Sequence, residues 1–590
     1  MKRLKQYFLM LDKKDTTYEA IYRGAYGYTK RGELVLNNPK LVGRTDKESE
    51  YEREAFQDST YWDGDVSYYF FRTHKSTPDK PSITIRIPFG LLDISEEMLD
   101  IVVADFGLRY FEKKIIEMNR SIYNRSRPDR ENGAFYCQHP YTTVRTRNSS
   151  FITSDVDDKY LNLMIMIQFP LEQHKKAIKM VCSMLPDAVR EFIYEFNVEE
   201  LRAYNELYIK QERIRAYLKN SEYCCFIANG SILPHDEVEG NPIVDAIPFI
   251  SPDEDEIEIE GICGMGIRRG VTVITGGGYS GKSTLLDAIH MGIYNHISGD
   301  GREFVITDES AIKVSAEDGR CIHNVKITPF IKKLPVEDTE HFSSKHASGS
   351  TSQAANIMEA INYESKLLLI DEDKSATNFM IRDRAMKKLI KDEPITPFTE
   401  RVNELYESEN VSTILVVGGS CEFIPLANQV YMMNNYMMGN CTNEAKKISS
   451  EYVDMAKEKE KKAEWRFDRI LNCMEFSSFS HDNNSEILDI FEMNYLKIGK
   501  HSIDLRMVSE ISTYEQLCGI GVIIRQMMKM NNTSKANLVD LIEDVYEKID
   551  REGLDSVYST TFLMHRWLEL PRKSEIWAAI NRATNLSFLS

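Results

Sequence analysis

The chain of 590 residues has little of what marks membrane, secreted or metal-held proteins. Its most apolar segment, YLNLMIMIQFP at 160–170, is interrupted by Asn162 and Gln168 and falls well short of a bilayer span, which excludes a transporter carrying its own membrane domain. The opening MKRLKQYFLMLDKKD is basic, but its apolar run from Tyr7 to Leu11 is short and charges follow at once, so it does not read as a secretion signal. None of the 10 cysteines forms a C-x-x-C spacing, although Cys224 and Cys225 are adjacent, so neither a zinc knuckle nor a thioredoxin-like motif is supported. Reduced thiols in a cytoplasmic protein are the expectation. Internal repeats and extended low-complexity segments are lacking. Positive charge is in deficit, 73 Lys and Arg against 91 Asp and Glu for a net charge of −18. The whole protein therefore repels nucleic acid and anionic lipid, and any nucleic-acid site must be a local patch.

With 42% hydrophobic and 28% charged residues the chain reads as soluble and globular, and its length predicts roughly three to four domains. In SITIRIP, Ile83, Ile85 and Ile87 alternate with Thr84 and Arg86; Leu161, Leu163, Ile165, Ile167 and Phe169 alternate likewise. Both segments read as strands. Helical patterns near 96–118 and from Leu171 to about Lys219 make the first region, residues 1–240, mixed α and β. A proline-containing, then acidic stretch at 234–260 marks a boundary. Beyond it, over 241–445, the strands VTVIT, KLLLID and STILVVGG alternate with helical segments, the pattern of a mainly parallel sheet covered by helices. Residues 446–484 include AKEKEKKAEWRFDR and read as an exposed charged helix or linker. Residues 485–590 form a small, mostly helical domain, with Leu517, Ile520, Ile524 and Met527 spaced as a core stripe.

Chemistry concentrates in VTVITGGGYSGKSTLLDAIH, residues 271–290. Gly276, Gly281, Lys282 and Ser283 satisfy G-x-x-x-x-G-K-[ST] between a β-branched strand and an apolar-periodic helix. Backbone N–H groups converge on phosphate only where side chains do not intrude, and a helix starting near Lys282 presents its positive end to the anion. Gly276, Gly277, Gly278, Tyr279, Ser280, Gly281, Lys282, Ser283 and Thr284 are therefore the candidate nucleotide loop, with Lys282 reaching the β- and γ-phosphates and Ser283 ligating Mg²⁺. Binding ATP with Mg²⁺ calls for a carboxylate on the metal, and hydrolysis for a second acid. KLLLIDED supplies both: Asp371 ends an apolar strand and would hold the metal, and Glu372 follows as candidate general base. Between these motifs, Ser348, Gly349 and Ser350 open HASGSTSQAANIMEAI, where a hydroxyl-rich loop becomes the N-terminus of an amphipathic helix, either a second end suited to anions or simply a capped helix.

These residues resemble the ATP-binding cassette (ABC) class. Ser348 lies upstream of Asp371 at the spacing of that class's signature serine, SGSTSQ is similar to a divergent signature loop, and DEDKSATN to the run from Walker B into the D-loop. More narrowly, GMGIRRGVTVITGGGYSGKSTLL, YNHISGDGRE, ASGSTSQAANI, LLLIDEDKSATNFMIRD, EPITPF and STILVVGGS resemble the family described as predicted ATPases of the ABC class. The likeness is strong over 261–430, moderate at YLKIGKHSIDL and LPRKSEIWAAINRA, and weak before about residue 220. It implies an N-terminal domain, an ABC-type P-loop core and a small C-terminal domain, with one member linked to mitochondrial RNA processing. It also implies a head-to-tail homodimer in which each ATP lies between one subunit's phosphate loop and the other's Ser348 region, giving Ser348 a catalytic part beside Lys282 and Glu372. Two departures stand out. Gly419, with Ser420 beside it, occupies the place of the switch histidine, and ITPFIKKLP stands in the Q-loop neighbourhood without a clear glutamine. Slow turnover is expected on that basis. Phe249, upstream of the loop, suits either stacking on adenine or packing into the core.

The best clue to what such an ATPase acts on lies at 113–147. Lys113, Lys114, Arg120, Arg125, Arg127, Arg130, Arg145 and Arg147 are interleaved there with Tyr123, Tyr136 and Tyr141, opposed only by Glu117, Asp129 and Glu131. Cations that track phosphates and aromatics on which bases stack are what single-strand binding requires; a solvated basic face is the other reading of the same run. The sequence thus predicts an α/β ABC-type P-loop ATPase coupled to nucleic acid, RNA before DNA. The alternative is a nucleotide-gated scaffold with little hydrolysis that switches protein partners.

Overall fold

In the computed structural model, residues 26–28, 34–36, 60–72, 80–125, 132–155, 158–170, 173–236, 240–335, 337–382, 386, 389–390, 392–452, 462–473, 488–491, 494–499, 501–530, 535–557 and 567–589 are described. The chain divides into two compact units. One comprises residues up to Glu206 together with Gly553–Glu569, and the other Leu207–Glu552 with Leu570–Ser590. The division thus falls inside the helix Val198–Lys219 rather than at the acidic stretch near 240, and residues 553–569 join the N-terminal unit.

The first unit is built on an antiparallel sheet. Its central strands Pro81–Pro88 and Lys159–Gln168 pair in register from Ser82 opposite Met166 to Pro88 opposite Tyr160. The alternation seen in the sequence is the sheet's inner face: Ile83, Ile85, Ile87, Leu161, Leu163, Ile165 and Ile167 are all fully buried. The helix expected near 96–118 runs Asp100–Ile122 and packs Phe106 and Phe111 against Phe192 and Phe196. The helical stretch expected from Leu171 to Lys219 is broken once. It runs without interruption from His174 to Glu195, Phe196 is extended, and Asn197 then accepts from the amides of Glu199 (3.1 Å) and Glu200 (3.2 Å), capping a fresh helix, Val198–Lys219.

The second unit holds a six-stranded sheet in the order Ile312–Val314, Leu367–Asp371, Ser412–Val416, Val271–Gly276, Gln429–Asn434, Met437–Asn440. All neighbours are parallel except the last pair, a hairpin. Parallel neighbours require crossovers, and the helices Lys282–Met291, Gly349–Asn362 and Phe398–Glu409 supply them. Leu367–Asp371 is wholly buried, which is why it reads as an unbroken apolar run. Beside this sheet lies an antiparallel one, Glu256–Ile259, Ile262–Arg268, Tyr223–Ala228 and Val305–Thr307. Phe249 is buried with this sheet's core, so the residue considered for adenine stacking is packing instead.

Of the charged segment, 453–461 lies outside the described residues; over 462–469 Lys462, Glu464, Arg466 and Asp468 are exposed, but the segment also anchors itself through two buried side chains. Trp465 is buried against Phe330, and the Arg469 guanidinium is buried beneath the C-terminal domain, where it donates to the carbonyls of His323 (2.6 Å) and Asn324 (3.1 Å). In the C-terminal domain the helices Tyr514–Met530, Leu538–Glu552 and Lys573–Arg582 dominate, with Leu517, Ile520, Ile524 and Met527 in the core as expected. Two small sheets, which the sequence reading did not anticipate, accompany them. One is the meander Leu488–Phe491, Tyr495–Ile498, His501–Asp504; the other pairs Ile470–Asn472 with Lys535–Asn537 and Phe588–Leu589.

Candidate functional site

Parallel strands leave their carboxyl ends on one edge, and that edge carries the site. Val271–Gly276 runs out into the glycine loop, and Gly281 caps the helix Lys282–Met291. Glycine is required twice. A Cβ at Gly276 would stand 2.3 Å from the Met433 carbonyl oxygen, and one at Gly281 2.8 Å from the Tyr436 ring; both residues have positive φ, 148° and 97°. Gly277 and Gly278 face open space, with nothing within 4 Å of a Cβ. Tyr279 stands at the tip with φ 58° and 99% exposure, while Ser280 is buried beneath it.

Lys282 folds over the loop and donates to the carbonyls of Gly276 (2.9 Å) and Gly277 (2.8 Å). Ser283, one position into the helix, donates from Oγ to Asp371 Oδ2 at 3.4 Å, which brings the hydroxyl and carboxylate expected on Mg²⁺ side by side. Asp371 is buried, and its other oxygen accepts from the Asp373 amide at 3.1 Å. The residues fit a triphosphate with Mg²⁺: an open glycine cradle, a helix N-terminus, a lysine over the loop, and a hydroxyl paired with a buried carboxylate.

Glu372 is held by backbone groups at the position where the switch histidine is missing. Its Oε2 accepts from the Gly418 amide at 2.7 Å and the Gly419 amide at 2.9 Å, just past the neighbouring strand Ser412–Val416. Backbone donors thus contact the candidate base where a histidine was sought. ITPFIKKLP contributes Ile327, Phe330 and Ile331 to the hydrophobic core.

Ser348, Gly349 and Ser350 form a separate face. Ser348 is exposed at the start of Gly349–Asn362, with its Oγ 2.9 Å from Thr351 Oγ1 and 3.5 Å from Ser350 Oγ. Among the described residues no hydrogen bond joins this face to the glycine loop. The link is indirect: Gln353, buried on the same helix, donates to Ser375 Oγ (3.0 Å) and accepts from the Ala376 amide (2.9 Å), and Ser375 donates to the Asp371 carbonyl (2.8 Å).

Residues 197–469 match the family model ABC_ATPase, described as a P-loop domain. Over these residues the chain has an ABC-type P-loop fold. Further along, residues 489–588 match the MRB1590 C-terminal domain. A relative from Methanocaldococcus jannaschii, the uncharacterized protein MJ1628, is 31% identical over 286 residues, which cover 46% of this chain and 62% of the relative. The chain thus spans less than two thirds of that relative's length. Matching solved structures include cbiO1 from Clostridium perfringens, part of the ABC transporter complex cbiONQ, at 16% identity and a TM-score of 0.24 over 39% of this chain and 92% of the other. Another is the ADP conformation of MJ1267, an ATP-binding cassette of an ABC transporter, at 14% identity and a TM-score of 0.25 over 39% and 96%. No helix among the described residues is long and apolar enough to cross a membrane.

The proposed nucleic-acid patch lies in the N-terminal unit and divides. Arg145 and Arg147, 6% and 2% exposed, are structural rather than surface groups. Arg145 NH1 reaches Glu569 Oε2 at 3.2 Å, Arg147 Nε donates to Glu569 Oε1 at 2.9 Å, and Arg147 also pairs with Asp105. Burial of both carboxylates demands these partners. Lys114 is likewise buried, with Nζ 2.6 Å from Glu195. Arg127 and Arg130 lie outside the described residues. Arg120, Arg125, Tyr123 and Tyr136 are exposed. Asn119 ties two of the elements bearing them, donating to the Phe135 carbonyl (2.7 Å) and accepting from its amide (2.9 Å), so the end of Asp100–Ile122 lies beside the strand Ala134–Tyr136.

Proposed function

We propose that the chain is a cytoplasmic ATPase that binds and hydrolyses Mg-ATP at the interface of a head-to-tail homodimer and couples that cycle to RNA. The observation that carries the reading is the Glu372 carboxylate, fixed by two backbone amides immediately after the buried Asp371, which itself accepts from Ser283. The fixed Oε2 leaves the other oxygen to accept a proton from water. Lys282, free to exchange two carbonyls for phosphate oxygens, would neutralise developing charge, and the amides of the loop would orient the triphosphate. Bound Mg²⁺ would offset phosphate charge, with Ser283 and Asp371 as its holders. In the dimer, Ser348, Gly349 and Ser350 would present their helix N-terminus to the partner's nucleotide. Arg120 and Arg125 with Tyr123 and Tyr136 support the RNA reading, since cation and aromatic ring are exposed together in a chain that is otherwise acidic.

The test is phosphate release by Glu372→Gln beside the wild type. Loss of turnover with an ATP-bound dimer accumulating supports the ATPase. Unchanged release removes Glu372 as the base, and a wild type that binds ATP without turnover favours a nucleotide-gated scaffold that switches protein partners.

A further inference from the structure

The strand Ile312–Val314 runs parallel to Leu367–Asp371, with Val314 opposite Ile370, and leads directly into Ser315, Ala316 and Glu317. This short tract touches both halves of the candidate machinery. The Ala316 amide donates to the Lys374 carbonyl at 3.0 Å, two residues past Glu372. The Glu317 amide donates to Ser352 Oγ at 2.8 Å, and Asn356 Nδ2 donates to the Ser315 carbonyl and to Glu317 Oε1, both at 2.9 Å. Ser352 and Asn356 belong to the helix that begins after Ser348.

The C-terminal domain grips the same tract. Arg582, at the end of Lys573–Arg582, donates from Nε to Glu317 Oε2 at 3.0 Å, and from NH2 to Glu317 Oε1 at 2.5 Å and Asn356 Oδ1 at 3.0 Å. This is a fork on a carboxylate, the geometry in which arginine is most directional. Both side chains are buried. On the other side of Asn356, Arg320 pairs with Asn356 and Glu359. Burial alone would raise the Glu317 carboxyl, but Arg582 and Arg320 overcome it and hold the group below the ordinary carboxylate range, so it stays ionised.

Attachment of the C-terminal domain does not depend on this pair. Glu510 accepts from the Lys313 amide at 3.0 Å, Arg572 donates to the carbonyls of Glu309 (2.9 Å) and Ala311 (3.2 Å), and Trp577 is buried against Tyr363. A buried ion pair adds little net stability over well-packed apolar side chains. What distinguishes this one is its place: it fixes a tract that hydrogen-bonds both to the segment behind Glu372 and, through Ser352 and Asn356, to the helix of Ser348, beside the direct link that Gln353 makes between the two.

We propose that Arg582 is a positioning residue for ATP hydrolysis, through which the C-terminal domain sets Glu372 against the Ser348 helix by clamping Ser315–Glu317. The inference rests on the ATPase reading above. Because Glu372 serves its own subunit's nucleotide in that reading and Ser348 the partner's, a tract rigidly joining them makes each site respond to the other. A shift of Lys573–Arg582, such as a ligand on the C-terminal domain would cause, then alters turnover without touching the phosphate loop.

The test uses the full chain with Arg582→Lys, Arg582→Gln and the double variant Glu317→Gln/Arg582→Gln, which leaves no buried charge unpaired. Arg582→Gln should lower kcat roughly 3- to 30-fold, with ATP affinity within about twofold of wild type, and Arg582→Lys should recover part of the loss. The double variant should keep a near-normal Tm yet retain the low kcat, since the fork and not the charge balance is lost. Unchanged kcat in a folded double variant overturns the proposal. If the wild type releases no more phosphate than Lys282→Ala, the ATPase reading fails separately, and amide exchange then decides: ATP-dependent protection at 573–589 that disappears in the double variant supports the clamp, and protection that persists overturns it.

Discussion

The Gly418 amide donates to Glu372 Oε2 at 2.7 Å, so the strand beside Asp371 ends by holding the candidate base through its backbone. Gly419 adds a second donor at 2.9 Å. A Cβ at Gly419 would come no nearer than 3.9 Å to the carboxylate, an ordinary contact. Gly419→Ala is therefore expected to keep wild-type turnover, whereas Gly419→Pro, which deletes the N–H, should lower kcat by roughly tenfold to a hundredfold with ATP affinity retained. Steady-state phosphate release beside equilibrium nucleotide binding separates the two. Equal loss in both variants would mean that the side-chain space, not the amide, matters.

Lys282 spans two loop carbonyls, those of Gly276 and Gly277. Lys282→Ala should leave the fold's Tm without nucleotide nearly unchanged and abolish the rise that ATP causes, a rise worth about 2.7 kcal/mol at a hundredfold excess over Kd. Thermal unfolding with and without Mg-ATP checks this; a full ATP shift in the variant would refute the lysine's role.

The glycines of the loop differ in what they tolerate. Gly281→Ala forces both a positive φ and contact with Tyr436 and should cost about 1–3 kcal/mol with loss of ATP binding. Adding Tyr436→Ala relieves the contact but not the backbone, so rescue should be partial. Gly277→Ala meets no atom within 4 Å, so a Tm close to wild type is expected.

The pH dependence of folding follows from Asp105. Burial alone would raise its carboxyl, but Arg109 and Arg147 overcome it and hold the group below the ordinary carboxylate range. Its stabilising contribution is complete above the unfolded value and lost as pH falls through the folded one. Asp105→Asn should accordingly lower the Tm at about pH 7, by an amount that shrinks as the pH is taken below about 3. A loss of the same size at both pH values would contradict the assignment.

Arg147→Met leaves Asp105 and Glu569 short of a buried partner and should cost about 3–5 kcal/mol. Arg125→Ala should cost little stability and reduce the slope of log affinity for single-stranded RNA against log salt by about 1. The reverse assignment of effects would return the buried arginines to the binding surface.

The nucleotide site was legible because its chemistry is local. Gly276, Gly281, Lys282 and Ser283 lie within eight consecutive positions, and Asp371 and Glu372 are adjacent, so strand, turn and helix signals frame each group. What escaped depends on partners distant along the chain. Arg145 and Arg147 read as a basic surface because Glu569, which buries them, lies 424 and 422 positions away. Gly418 and Gly419 read as a missing histidine, since a backbone donor has no side-chain signature; the glycine pair after an apolar strand was the available signal. A loop aromatic such as Phe249 suits ring stacking and packing equally, and only the burial of its surroundings resolves the two. The two small sheets of the C-terminal domain, built from strands of two to four residues, are too short for alternation to show.

Phosphate release with and without single-stranded RNA, at two salt concentrations, tests whether ATP turnover at Glu372 is coupled to RNA as proposed. The account predicts stimulation by RNA that fades as salt rises and is absent in Glu372→Gln. Turnover that is indifferent to RNA at both salt concentrations would contradict it.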